Sequence, residues 1–250
     1  MPLFGARPPL EDRERLWIEK MLTWCVDQFG REALEAEVLT PTPKFFPGTY
    51  KGTPEDILSV VDLVRAHLRI DPTEISVTLY DGLPPPQLPG TATGARNSVA
   101  GHYSIRGGVG RVSGVSGGGG VGIIAIALED APDPRRLVAV AAHELCHHKL
   151  LYQGIAAADD QDHEPLTDLA TVFFGLGIFT ANAAFSFSQG SHGWRRRQLG
   201  YINQPMFGYA LARIAALRGE RDPEWARYLE TNPRGYFKQS ARYLDKQLSS

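Results

Sequence analysis

His143-Glu144-Leu145-Cys146-His147, set within the apolar run Leu137 to Leu151, is the stretch around which the rest of the chain is organised. Asp133-Pro134 stands ahead of it, an N-cap residue followed by proline at the first helical position. Gly154 follows as a stop signal. Together these signals predict one helix with the H-E-x-x-H pentapeptide in its middle. Positions i and i+4 of a helix lie one above the other on the same face. Both imidazoles can therefore reach one metal ion, and Glu144 stands near enough to deprotonate a water held there. The plainer alternative is a helix with two surface histidines and an incidental glutamate.

A metal held by two histidines needs a third protein ligand, with one position left open. The next acidic cluster runs from Asp159 to Asp168. Glu164 and Asp168 are spaced i,i+4 at the start of a second apolar helix and can face the same way. Metal-bound histidines commonly donate their other ring N–H to a carboxylate. Glu164 is accordingly expected as third ligand, and Asp168 as the hydrogen-bond partner of a ligand histidine, His143 in the first instance. His163 and Asp162 are rivals for the third place. His148 lies about 100° round the helix from His147 and is expected to pack or face solvent. Cys146 reads as a small buried apolar residue.

With H-E-x-x-H followed by E-x-x-x-D, the chain resembles the gluzincin metallopeptidases, the thermolysin-like clan, over residues 74 to 185. The resemblance implies that His143, His147 and Glu164 bind one Zn2+ and that Glu144 is the general base. It implies a zincin-like fold, with a small twisted sheet against the active-site helix and a helical C-terminal part. The chain departs from the better-known members in two ways. Sixteen residues separate His147 from Glu164, a slightly shorter gap. The Asn-Ala edge-strand signature of many relatives is missing, the nearest segment being Asn97 to Tyr103.

Composition narrows the class. The 250 residues are 43% hydrophobic and 22% charged, ordinary for a globular chain. A net charge of −2 offers no broad basic field for nucleic acid. The charge is uneven. Residues 191–250 carry eleven Lys/Arg against five Asp/Glu, a net of +6, which leaves −8 for the remainder. Arg195-Arg196-Arg197 supplies half of that excess and reads first as a solvated face. Cys25 and Cys146 are the only cysteines, and one sits in the pentapeptide, so a structural disulfide is not expected. With no signal-peptide pattern at Met1 to Pro9, the cytoplasm is the expected location. Leu169 to Phe187 is uncharged and long enough to span a membrane, but Thr171, Thr180, Asn182 and Ser186 interrupt it, and a buried core helix is expected instead.

The element order is read from periodicity. Residues 11 to 29 form an amphipathic helix, residues 36 to 52 an extended proline-punctuated segment, and Thr53-Pro54 caps a helix to about Arg69. Strands are expected at Glu74 to Tyr80, Ala100 to Arg106 and Val121 to Leu128. The glycine-serine tract Gly107 to Gly120 fits no phosphate-binding motif and reads as a flexible hairpin tip. After the glutamate helix come a helix from Gln204 to Arg218 and two short ones at 223–230 and 235–248. The fold class expected is α+β, zincin-like, with a small, mainly antiparallel sheet. Its segments are 1–73, helical and extended; 74–190, the core with the metal site; and 191–250, a helical part completing the same domain.

The expected activity is zinc-dependent hydrolysis of peptide bonds, with a peptide or protein substrate added as a strand to the edge at Ala100 to Arg106. No nucleic-acid or membrane partner is expected. Tyr201, Tyr209 and His192 are candidate oxyanion stabilisers. A non-catalytic metal-bound interaction module and an amidohydrolase acting on a small molecule are the competing classes.

Overall fold

A computed structural model describes residues 7–82, 101–106, 121–152, 155, 162–186 and 202–248. Among them are eight α-helices and one three-stranded sheet, a mixed and mostly helical α+β architecture. The chain divides into two compact units, Phe46–Thr167, and Met1–Phe45 with Asp168–Ser250.

The first unit holds the sheet. Its strands are β1 (Ile75–Tyr80), β2 (Gly101–Arg106) and β3 (Val121–Ala127), in the order β1-β3-β2. β2 pairs antiparallel with β3, with Tyr103 opposite Ile124. β1 pairs parallel with β3, with Ile75 opposite Gly122. The expected mainly antiparallel sheet is thus corrected to a mixed one. Alternation of apolar residues sets which face of a strand is buried but not the strand's direction. The usable clue was β3 itself: Ile124 to Ala127 are all buried, the near-continuous apolar run of a strand covered on both faces and paired on both edges.

Two helices complete the unit, α3 (Pro54–His67) and α4 (Pro134–His147). α3 starts with a capping box: the Thr53 hydroxyl accepts from the Asp56 N–H, and the Asp56 carboxylate accepts from the Thr53 N–H. In α4, Asp133 Oδ1 accepts from Arg135 N at 2.9 Å and Arg136 N at 3.4 Å, with Pro134 at the first turn. α4 packs against α3 on one side and against β2 and β3 on the other. From Leu137 onward every α4 residue except His143 is buried. The helix continues as a π-helical turn, His148–Tyr152.

The second unit is helical: α1 (Asp12–Phe29), the single turn α2 (Arg31–Leu34), α6 (Gly177–Ser186), α7 (Gln204–Leu217) and α8 (Thr231–Leu248). The helix α5 (His163–Phe173) begins in the sheet unit and contributes its residues from Asp168 onward here. α1 buries Ile18, Leu22 and Cys25, an i, i+4, i+7 stripe. α7 and α8 pack closely, because a Cβ on Gly208 would fall 2.4 Å from Tyr236 Cβ.

The single core helix expected at Leu169 to Phe187 is instead two helices, α5 and α6. Gly175 breaks them with φ +81°, a conformation that disfavours any side chain. A Cβ there would also meet Glu37 O at 2.7 Å, while Gly175 O accepts from Leu39 N at 2.9 Å. Among the described residues no helix is long and apolar enough to cross a membrane. The C-terminal elements differ from expectation as well: a 3-10 turn at Glu224–Tyr228, then α8 as one 18-residue helix.

Candidate metal centre

α4 and the first turn of α5 bring three ligand atoms together inside the sheet unit. His143 Nε2 lies 3.0 Å from His147 Nε2, and each lies 3.3 Å from Glu164 Oε2. For bonds of about 2.05 Å, the ligand–ligand edge of a tetrahedral zinc site is about 3.3 Å. The three atoms thus stand at the spacing of one tetrahedral face. Among the described residues this is the one group of histidine, cysteine and acidic side chains with the spacing of a metal site. His143 is the most accessible of the three at 14% side-chain exposure, against 5% for His147 and 6% for Glu164.

The chemistry of the donors fits a cation. Both Glu164 oxygens are sealed from solvent without a hydrogen-bond partner among the described residues. The imidazoles of His143, His147 and His163 approach to 3.2–3.3 Å, but without hydrogen-bond alignment. A buried carboxylate left in that condition is costly unless a positive charge completes it. Burial opposes its ionisation, but the three imidazoles outweigh burial and lower the carboxyl pKa. Burial drives the His147 pKa down to about 4, against the opposing pull of Glu164. At neutral pH the set is therefore a carboxylate and a neutral imidazole, the forms that bind metal.

A residue absent from the sequence-level expectations fixes the His147 tautomer. Thr167 Oγ1 lies 2.8 Å from His163 O and 3.2 Å from His147 Nδ1. The hydroxyl has a single hydrogen, and the carbonyl can only accept, so that hydrogen goes to His163 O. His147 must then donate from Nδ1–H to Thr167 Oγ1, which leaves the Nε2 lone pair facing the cluster. Thr167 follows Glu164 by three residues, on the same helix face, and that spacing was the signal available in the sequence. Thr167→Val keeps the volume and removes the acceptor. Zinc affinity should fall about 10- to 100-fold with the fold intact. A competition titration with a chromophoric chelator measures this, and unchanged affinity would remove Thr167 from the site.

His148 is fully buried rather than solvent-facing. Its Nε2 pairs with Glu74 Oε2 at 3.1 Å and its Nδ1 with the Tyr103 hydroxyl at 3.1 Å. Burial lowers its pKa, against the pull of Glu74. The neutral ring therefore donates Nε2–H to the carboxylate and accepts the Tyr103 O–H at Nδ1. The Tyr103 ring lies nearly parallel to His147, centroids 6.3 Å apart and planes at 12°. Gly122 makes room for this brace, since a Cβ there would sit 2.7 Å from His148 Nδ1 and 3.0 Å from the Tyr103 ring. Through it α4, β2 and the turn before β1 all bear on the ligand face.

The remaining expected residues are placed as follows. Glu144, next to His143 on α4, is buried. Asp168 is buried four residues beyond Glu164 on α5, and its Oδ2 accepts from Ile202 N at 3.3 Å. Of the rival ligands, His163 is buried with Nε2 3.2 Å from Glu164 Oε1, whereas Asp162 is exposed. The Tyr209 hydroxyl donates to Glu19 within the helical unit's core, a packing role. Tyr201, His192 and Arg195-Arg196-Arg197 lie outside the described residues, as does the Gly107 to Gly120 tract. Cys25 and Cys146 are both buried and outside any disulfide, and burial pushes the Cys25 thiol up to about 12.

The two shifts make a pH prediction for the metal-free protein. His147 takes up a proton near pH 4 when folded but near 6.5 when unfolded. As pH falls, the unfolded chain therefore binds that proton first, and stability is lost from about pH 6.5 down to 4. The lowered Glu164 carboxyl adds a loss in the same direction below its ordinary value. Thermal midpoints measured in chelator from pH 7.5 to 5 should decline, and a flat profile would contradict the assigned protonation states.

Comparison with protein-family models, with curated proteins and with solved structures finds no match for this chain.

Proposed function

We propose that this protein is a zinc-dependent metallopeptidase of the zincin type. One observation carries the reading: His143 Nε2 and His147 Nε2 on α4, the helix that also carries Glu144, close to 3.0–3.3 Å from one another and from Glu164 Oε2 on α5. His143, His147 and Glu164 would hold the metal. A zinc ion held by them would supply Lewis acidity for the scissile carbonyl and would lower the pKa of water to about 7.

The chain's own residues do the rest. Glu144 accepts the proton of the attacking water and delivers it to the leaving amine. Thr167 keeps His147 in the tautomer that ligates through Nε2. Among the described residues β2 occupies one edge of the sheet, and its outer backbone groups would pair with an extended peptide as an added strand. Both cysteines are buried and outside any disulfide, which supports a reducing compartment, the cytoplasm.

The test is mass spectrometry of a peptide library incubated with zinc-replete protein and with the same protein after chelation. Cleavage confined to the zinc-replete sample supports the proposal. Stoichiometric zinc with no cleaved peptide would favour a metal-bound interaction module or a hydrolase of small-molecule amides.

A further inference from the structure

Arg218 stands immediately after α7 and lines a cavity of about 670 Å³ in the helical unit. That volume falls in the range of small-molecule sites. Its guanidinium is in an unusual condition. Nε and Nη2 are both sealed from solvent and have no hydrogen-bond partner among the described residues. These two nitrogens form one edge of the planar fork, the edge that grips a carboxylate by two parallel hydrogen bonds. An unpartnered charged donor pair is costly to keep, so this edge calls for an acceptor.

The protein's own acids around the cavity are committed elsewhere. Glu35 pairs with Arg31 at 3.3 Å, Glu37 with Lys44, and Glu224 with Arg227. Glu220 accepts the Trp225 indole N–H at 2.9 Å. Arg218 feels Glu220 and Glu35 only at longer range. Among the described lining residues it is therefore the cation left for a ligand.

Charge and shape narrow that ligand. The lining contains Glu35, Glu37, Glu220 and Glu224 against Lys44, Arg218 and Arg227, a net of −1, which disfavours a polyphosphate. Phe45, Trp225 and Tyr228 supply aromatic surface. We propose that this cavity binds a monocarboxylate carried on an apolar or aromatic body, with Arg218 as its anchor. Binding requires the Arg218 side chain to turn its sealed edge into the cavity about its own torsions, where Phe45, Trp225 and Tyr228 would cover the ligand's body. The chemistry is shared by a small free acid and by the C-terminus of a peptide. The site stands independently of the metal centre.

Isothermal titration of the full chain with 3-phenylpropionate, N-acetyl-phenylalanine, N-acetyl-phenylalaninamide and inorganic phosphate tests this. Saturable 1:1 binding of one or both carboxylates is expected, with the amide and phosphate at least about tenfold weaker. Stronger binding of 3-phenylpropionate identifies a small acid, and stronger binding of N-acetyl-phenylalanine a peptide end. Arg218→Met should weaken the carboxylate about 10- to 100-fold. Arg218→Lys keeps the charge, loses the two-donor edge, and should still weaken it about tenfold, which covers a failure of the methionine variant to fold. Absence of carboxylate binding, equal binding of the amide, tighter binding of phosphate, or unchanged affinity in either variant would overturn the proposal.

Discussion

Replacing Glu144 by glutamine is expected to lower peptide hydrolysis by about three orders of magnitude while leaving the metal and the fold in place. The amide is nearly isosteric with the carboxylate but cannot take a proton from water at neutral pH. Glu144 is not among the three atoms that converge on the metal position, so its replacement should not release the ion. Activity and metal content must be measured on the same protein. Full hydrolysis by metal-replete Glu144→Gln protein would remove Glu144 as the base and open the search for another.

Removing a ligand should have the opposite signature, loss of the metal itself. His143→Ala or His147→Ala is expected to abolish stoichiometric zinc, and with it the rise in melting temperature that zinc confers on the wild type. At free zinc 100-fold above the dissociation constant, that stabilisation is about 2.7 kcal/mol. Glu164→Ala should weaken binding severely. It deletes the carboxylate that neutralises half of the ion's charge and leaves only two neutral imidazoles to hold the ion. Calorimetric melting of each variant with and without zinc measures the effect. Tight zinc in Glu164→Ala protein would pass the third place to His163, whose Nε2 already stands 3.2 Å from the Glu164 carboxylate.

Helix signals were the readable part of this chain. Asp133-Pro134 and Thr53-Pro54 sit where α4 and α3 begin, because an N-cap oxygen and a proline at the first turn act locally. The convergence of His143, His147 and Glu164 was legible for a similar reason, since two ligands share one helix face and the third opens the next helix. The parallel pairing of β1 with β3 was legible only through the near-continuous apolar run of β3, because alternation along a strand does not fix its direction. Nor was the α5–α6 break anticipated: Gly175 lies in an otherwise helix-compatible apolar run, and its close approach to Glu37 O exists only in the folded chain. His148 was expected to pack or face solvent and is packed, but its partners were not legible: helical phase says which residues share the ligand face, whereas Glu74 and Tyr103 reach His148 from elements 74 and 45 residues away. Thr167 was not legible as a partner of His147, because a threonine in an apolar helix carries no charge to mark it and its contacts with His147 Nδ1 and His163 O exist only in the folded chain.

The central claim is that His143, His147 and Glu164 together hold one zinc ion. X-ray absorption at the zinc edge, on protein whose metal content has been counted, tests it most directly. The account predicts one zinc per chain in a shell of nitrogen and oxygen at about 2.0–2.2 Å, with the multiple-scattering pattern of two imidazoles and no sulfur. A chain that retains no stoichiometric metal, or a sulfur scatterer at about 2.3 Å from the neighbouring Cys146, would contradict it.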